Sequence, residues 1–193
     1  LNTDYSMPVA ETASTFNEAI IMNAAISEAS GDEKMALIES QLQDVTQIIV
    51  DIYSRFLFEN EVFKKRETGF MFSDELEKMM LDAQKEAYGD GLDPNYMHPY
   101  MWVNKGHYYS SGLSFYNFPY AFGGLFARGL YAKCQSEGPS FVGKYKKLLH
   151  GTTVSSVEDV AKIADIDLTK ADFWKESLQS YANLIDEFIE LSK

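Results

Sequence analysis

Apolar residues recur at steps of three and four along most of the chain, which is the spacing of amphipathic α-helices. No stretch of useful length alternates apolar and polar residues, so the pattern predicts no strands. Capping residues, glycines and prolines mark where each helix should begin and end. Helices are predicted over about residues 6–29, 32–66, 73–88, 113–136, 139–150, 156–164 and 171–192. The sequence therefore predicts an all-α fold, organised as a single helical domain over residues 1–193.

The helical pattern breaks between residues 89 and 112, where Gly89 and Pro94 cannot continue a helix. A loop of this length within a compact chain is uncommon unless it has a function. It leads into a glycine- and aromatic-rich stretch, residues 106–124, which contains His107. Such a stretch either fills a core or offers a ligand an apolar wall with several polar tips. Composition alone favours the core, whereas the flanking glycines favour a binding loop.

Composition narrows the classes of function. With 46% hydrophobic residues, the 193-residue chain can bury a sizeable core. Its 17 basic and 29 acidic residues give a net charge of −12, which argues against nucleic acid or an anionic membrane as a partner. No run of about 18 apolar residues could span a membrane, and the lone Cys134 excludes an internal disulfide. We therefore expect a cytoplasmic protein.

The motifs of a complete active site are missing. The histidines at positions 98, 107 and 150 are nine or more residues apart and none belongs to a Glu-x-x-His pair, so the sequence offers no helical metal site. Two carboxylates remain of interest, because Glu11 and Glu18 lie seven residues apart, about two turns, on the first predicted helix. Their ordinary interpretation is a solvated helix face. Alternatively, one carboxylate points inward and completes a metal shell begun elsewhere.

Two separated stretches carry a resemblance to a known family. Residues 11–18, ETASTFNE, and residues 106–123, from Gly-His-Tyr-Tyr to Phe-Tyr-Asn-Phe-Pro-Tyr-Ala-Phe-Gly, resemble the C-terminal part of the oligoendopeptidase F family, which is related to thimet oligopeptidase. The resemblance extends to residues 157–161 and 172–174, so it covers essentially the whole chain. Members of this family are zinc metallopeptidases of mostly helical fold that cleave oligopeptides inside a closed cavity. The resemblance therefore implies the C-terminal catalytic part of a larger helical peptidase.

The resemblance also implies roles for individual residues. Glu11 would be the third zinc ligand, and Glu18 would be a supporting carboxylate that orients a zinc-bound histidine. The substrate would be handled by catalytic His107, Tyr116 and Tyr120, which donate to the oxyanion, and by substrate-binding Gly106, Tyr108 and Tyr109. The resemblance does not decide whether Tyr116 or Tyr120 would be the main oxyanion donor.

One departure from the family pattern is large. The His-Glu-x-x-His helix, which supplies two zinc ligands and the general base, is absent from these 193 residues. The partner that completes the site would be an upstream segment of the same protein, and the chain alone should not hydrolyse peptides. An alternative function is a non-catalytic helical module that binds peptides or other proteins through the glycine- and aromatic-rich stretch. A third interpretation is a helical domain in which the glycine- and aromatic-rich stretch only fills the hydrophobic core.

Overall fold

The computed structural model describes residues 3–193, which form helices and connecting turns without any strand. This confirms the predicted all-α class. The α-helices are α1 (Thr12–Glu28), α2 (Gly31–Thr46), α3 (Ile52–Arg66), α4 (Ser73–Tyr88), α5 (Phe118–Glu137), α6 (Phe141–Gly151), α7 (Val157–Lys162) and α8 (Ala171–Leu191). Short 3₁₀ turns lie at Met7–Val9, Gly106–Tyr109 and Gly138–Ser140, and a π-helical turn lies at Gln47–Asp51. No helix in this part of the chain combines the length and the apolar character that crossing a membrane requires.

Most predicted helices are confirmed, and the differences have local causes. The helix expected from residue 6 is interrupted, since a 3₁₀ turn containing Pro8 precedes α1. The helix expected from residue 113 begins at Phe118, because Phe115 has a φ of 55°, which no α-helix accommodates. Ser73 does not cap α4; the backbone N–H of Phe72 instead donates to the Glu75 carboxylate at 3.1 Å.

The helix predicted over residues 32–66 is helical throughout, but it contains the π-helical turn Gln47–Asp51 between α2 and α3. A π-helical turn inserts one residue into the helical repeat and often occurs at functional sites. Here it ends at Asp51, a buried acidic residue. The turn therefore marks the beginning of the polar face of α3.

The fold divides into two compact units. The first unit comprises Leu1–Val45 with Pro119–Lys193, and the second unit comprises Thr46–Phe118. The single domain expected over residues 1–193 stays a prediction.

The first unit has an apolar core built around α5. Phe126, Leu130, Phe141 and Leu148 are completely buried in it. Gly129 allows α8 to pack closely, because a Cβ atom at this position would lie 2.3 Å from the Phe173 ring. Aromatic and aliphatic packing therefore defines this unit.

The second unit has a much smaller apolar cluster, in which Phe58 of α3 packs with Met80 and Ala83 of α4. Gln84 of α4 fixes the segment that follows: its amide donates to the carbonyl of His98 at 2.8 Å and accepts from the His98 backbone N–H at 3.0 Å. The remaining buried groups of this unit are mostly polar, namely Asp51, Ser54, Arg55, Glu59, Gln84 and Asn117. These side chains form the framework of the candidate site.

Candidate functional site

The aromatic loop, residues 106–117, is the centre of the candidate site in the second unit. It begins with a 3₁₀ turn, Gly106–Tyr109, which places His107 and Tyr108 side by side with their rings edge to face at 4.6 Å. The backbone N–H of Phe115 donates to the His107 carbonyl at 3.4 Å, so the loop closes on itself. Five of the residues singled out from the sequence lie in this loop: Gly106, His107, Tyr108, Tyr109 and Tyr116.

A carboxylate of α3 binds both ends of the aromatic loop. Glu59 Oε1 accepts a hydrogen bond from the Tyr108 hydroxyl at 2.8 Å and another from Asn117 Nδ2. The Asn117 amide also donates to the Tyr108 hydroxyl at 3.2 Å. Asn117 is only 1% exposed, and Glu59 is buried as well. The three side chains therefore form a closed hydrogen-bonded triangle in which Glu59 and Asn117 are buried and Tyr108 is half-buried.

An ion pair on the same face of α3 continues this network. Arg55 Nη1 donates to Asn117 Oδ1 at 3.0 Å, and Arg55 Nη2 pairs with the Asp51 carboxylate. Asp51, Arg55 and Glu59 are spaced by four residues, so they lie along one helix face. With Arg55 on its oxygen and Glu59 on its nitrogen, the Asn117 amide has one orientation that satisfies all its neighbours. We call these five residues, Asp51, Arg55, Glu59, Tyr108 and Asn117, the buried network.

Burial dominates the electrostatics of the network. It raises the pKa of Glu59, although the hydrogen bonds from Tyr108 and Asn117 act in the opposite direction. Burial, followed by the nearby Glu59 charge, raises the pKa of Tyr108 far above its ordinary value. The Tyr108 hydroxyl therefore keeps its proton and remains a donor to the carboxylate.

His107 has a lowered pKa. Burial contributes most, and the positive charges of Arg55 and Lys105 lower the pKa further. Its ordinary value is 6.5, so the imidazole is uncharged near neutral pH and offers one N–H donor and one acceptor nitrogen. Neutral imidazole can polarise a carbonyl group by donating a hydrogen bond.

Packing and exposure divide the aromatic residues of the loop. Phe115 lies between Phe63 of α3, with ring centroids 4.8 Å apart, and Tyr108, with centroids 5.4 Å apart. Tyr109, by contrast, is 64% exposed, and Tyr116 is half-buried. The core and binding-loop interpretations of the sequence therefore each describe part of the loop: some rings anchor it and others remain accessible.

Glu11 belongs to the first unit, where it is half-buried at the beginning of α1. Its backbone lies directly against α5, since a Cβ atom at Gly123 would be 2.9 Å from Glu11 Cβ and 3.3 Å from its carbonyl carbon. The Glu11 carbonyl accepts the Ser14 hydroxyl at 3.0 Å and the Thr15 backbone N–H at 3.1 Å. Because Gly123 has no side chain, the backbone and Cβ atom of Glu11 can pack directly against α5.

The other two predicted site residues of the first unit are more exposed. Glu18 lies on the exposed side of α1, and its charge is one of the causes that raise the pKa of Tyr181 on α8, after burial. Tyr120 is 41% exposed in the first turn of α5. The helix face that carries Glu11 and Glu18 is therefore exposed at Glu18 and half-buried at Glu11.

Among residues 3–193, no group of three or more His, Cys, Asp or Glu side chains is arranged to hold a metal ion. The roles predicted for Glu11, Glu18, His107 and the tyrosines stay predictions. Sequence reasoning did not single out Asp51, Arg55, Glu59 or Asn117. For Asp51, Arg55 and Glu59 the available signal was the four-residue spacing of charged positions within an otherwise apolar stretch of helix.

Comparisons with known proteins place these features in a family context. The profile of Peptidase family M3 matches residues 1–180. Oligopeptidase PepF of Bacillus subtilis (strain 168) is 26% identical over 190 residues, which is 97% of this chain and 28% of that protein. Group B oligopeptidase PepB of Streptococcus agalactiae serotype III (strain NEM316) is 24% identical over 97% of this chain and 31% of that protein. The chain thus spans less than a third of the length of these curated relatives.

Two solved structures share the fold. The crystal structure of oligoendopeptidase-F from Enterococcus faecium matches 97% of this chain and 36% of its own chain, with a TM-score of 0.82 and 21% identity. The crystal structure of a putative peptidase from Chlamydophila abortus matches 98% of this chain and 32% of its own, with a TM-score of 0.84 and 20% identity. At these identities the likeness establishes the helical fold.

Proposed function

Because this chain belongs to Peptidase family M3, whose profile matches residues 1–180, we propose that it is the substrate-binding and metal-binding part of a metallopeptidase that hydrolyses oligopeptides. Relatives named as oligopeptidases support the substrate class. Since the chain spans less than a third of those relatives, hydrolysis is assigned to the complete protein, and the chain alone is expected to be inactive. The cytoplasmic location stays a prediction.

Glu11 is the proposed metal ligand, and zinc is the proposed metal. A catalytic zinc ion takes three protein ligands, whereas the described residues hold no cluster of three candidate ligands. A carboxylate fits one of these positions, and the close contact with Gly123 supports this role by fixing the Glu11 backbone. The other ligands and the general base would come from a His-Glu-x-x-His segment outside these 193 residues. Glu18 is retained as a supporting carboxylate.

When bound, zinc supplies a Lewis acid for the scissile carbonyl and lowers the pKa of an attacking water. The residues of this chain would orient the peptide and stabilise the developing negative charge. His107 suits that task, because its lowered pKa keeps an uncharged N–H donor available near neutral pH. Tyr116 and Tyr120 are the further proposed donors, and Gly106, Tyr108 and Tyr109 are the proposed substrate-binding residues.

The single observation that carries the proposal is the family match over residues 1–180, and a substitution of Glu11 tests its chemical core. In the complete gene product that contains this chain, Glu11→Gln keeps the side-chain volume and removes the negative charge. We expect bound zinc to be lost and cleavage of a quenched oligopeptide to fall by about 100-fold or more. Zinc is measured by elemental analysis and cleavage by fluorescence.

The matched control is Glu28→Gln, which changes an exposed glutamate at the end of the same helix. It should retain both the metal and the activity. Wild-type zinc content and cleavage in Glu11→Gln would remove Glu11 from the metal site. Tight peptide binding without any cleavage by the wild-type protein would favour the non-catalytic peptide-binding module.

A further inference from the structure

Glu59 is a buried acidic residue that the proposed chemistry does not use. One of its oxygens, Oε1, accepts from Tyr108 and from Asn117, which are nine residues apart at opposite ends of the aromatic loop. A single acceptor atom therefore closes the loop onto α3.

The second half of the buried network fixes the direction of the Asn117 amide. Arg55 donates to its oxygen at 3.0 Å, and Asp51 holds the guanidinium in place from the preceding turn. Rotating the amide by half a turn would place a donor against Arg55 and an acceptor against Glu59, which would lose both hydrogen bonds. The hydrogen bonds of the Asn117 amide are therefore specific in geometry.

Phe115 shows that the loop needs such restraint. Its φ of 55° lies in the left-handed region, which is unfavourable for a residue with a Cβ atom. A conformation of this kind persists only where the surroundings hold it firmly. Phe115 stands between the two loop residues bonded to Glu59, and its ring packs against Phe63 and Tyr108.

The residues next to these two anchors are proposed site residues. His107 precedes Tyr108, and Tyr116 precedes Asn117. We propose that Glu59 is a positioning residue that holds the aromatic loop at Tyr108 and Asn117, and thereby sets the placement of His107 and Tyr116 toward an oligopeptide substrate. This inference rests on the proposed function, because it assigns the loop to the peptide-binding surface.

Stability alone is a poor explanation for this network. A buried ion pair can often be replaced as a whole by apolar side chains without loss of stability. A carboxylate that serves by its charge cannot be replaced by a neutral side chain, whereas one that serves as a common acceptor can be replaced by another acceptor. Removing the acceptor leaves the donors of Tyr108 and Asn117 unpaired. Glutamine and leucine at position 59 distinguish these roles, because the glutamine oxygen still accepts both hydrogen bonds and leucine accepts neither.

The test compares Glu59→Leu with Glu59→Gln in the complete gene product. For Glu59→Leu we expect kcat to fall about 10- to 100-fold, with a smaller change in KM, because misplaced groups affect the reacting geometry most. Amide hydrogen exchange should accelerate at residues 108–117. Glu59→Gln should restore kcat to within about threefold of wild type, since its oxygen keeps both donors.

The control is Glu61→Gln, on the exposed side of the same helix, where Glu61 pairs with Lys64 in solvent. It should leave kcat, KM and loop exchange unchanged. If Glu59→Leu does not fold, Tyr108→Phe removes one of the two hydrogen bonds while keeping the ring, and amide exchange at residues 108–117 should accelerate.

Three outcomes overturn the inference, and they are separable from the fate of the proposed function. Wild-type kcat in folded Glu59→Leu, in an enzyme that requires Glu11, would refute the positioning role and leave the peptidase function intact. Unchanged amide exchange at residues 108–117 would refute the restraint itself, whether or not the protein cleaves peptides. Loss of kcat in both Glu59→Leu and Glu59→Gln would also contradict it, because the acceptor oxygen would then be insufficient.

Discussion

The interiors of the two units differ in kind: one is apolar and the other is largely polar. In the first unit, α5 is surrounded by apolar side chains, and its core residues Phe126 and Leu130 have no exposed surface. In the second unit, the apolar cluster is small, and the face of α3 that begins at Asp51 buries charged groups. Apolar packing gives stability with tolerance for change, whereas a hydrogen-bonded network fixes one geometry. The second kind of interior lies beneath the aromatic loop.

The first unit should lose the most stability when its core is emptied. Phe126→Ala removes a completely buried ring from the centre of α5, and such a cavity costs about 3–5 kcal/mol. Urea denaturation followed by circular dichroism measures this loss. A decrease below about 1 kcal/mol would mean that the apolar core does not carry the stability of this unit.

The stability of the second unit should fall more when one charge of the Asp51–Arg55 ion pair is removed than when both are removed. Arg55→Met leaves Asp51 buried without the positive charge that it pairs with, which should cost about 3–5 kcal/mol. Replacing both residues, Asp51→Leu with Arg55→Met, should recover most of that loss. Urea denaturation of the two variants supplies both free energies.

The double replacement also separates stability from geometry. Asn117 loses its Arg55 donor in both variants, so amide exchange at residues 108–117 should stay faster than in the wild type. A double variant with wild-type exchange in the loop would show that the ion pair does not contribute to loop geometry.

A smaller effect is expected where the first unit supports Glu11. An added methyl group in Gly123→Ala would press on the Glu11 backbone and should cost about 1–3 kcal/mol, partly offset by the better helix propensity of alanine. Gly143→Ala is the matched control, because a Cβ atom there meets nothing within 4 Å. It should be neutral or stabilising by up to about 1 kcal/mol. Equal melting temperatures for the two variants would contradict the close contact at Gly123.

The smallest effect concerns pH. Because burial raises the pKa of Glu59 above its ordinary 4.5, ionisation of this carboxyl opposes folding. The stability that the protonated Glu59 carboxyl contributes is fully present below its ordinary pKa. That contribution declines as the pH rises through the higher pKa of the folded state. Glu59→Gln removes this titration, so the wild type should lose stability relative to the variant as the pH rises above 4.5. A difference in unfolding free energy that stays constant as the pH rises would contradict it.

Much of the fold follows from the hydrophobic pattern, because helices that bury an apolar face repeat it every three or four residues. The pattern located α4, α6, α7 and α8 closely. It placed the beginning of α5 five residues too early, since nothing in the spacing reveals the left-handed backbone of Phe115. The division into two units was also not visible, because a helical pattern continues through the π-helical turn at the boundary.

The candidate site was only partly predictable, for a physical reason. His107 and the tyrosines stand out as rare residues in a glycine-rich stretch. Glu59 and Asn117 do not, because a buried carboxylate looks like a surface residue until its donors are known. Those donors lie 49 and 58 residues away in sequence, and only the folded chain brings them together.

A double-mutant cycle between Glu59→Leu and Tyr108→Phe tests the shared acceptor most directly. The unfolding free energies of the wild type, the two single variants and the double variant give the coupling between these side chains. We expect a coupling of about 1 kcal/mol or more, as found for side chains within one hydrogen-bonded network. Additive losses, to within about 0.3–0.5 kcal/mol, would contradict the role of Glu59 in holding the aromatic loop.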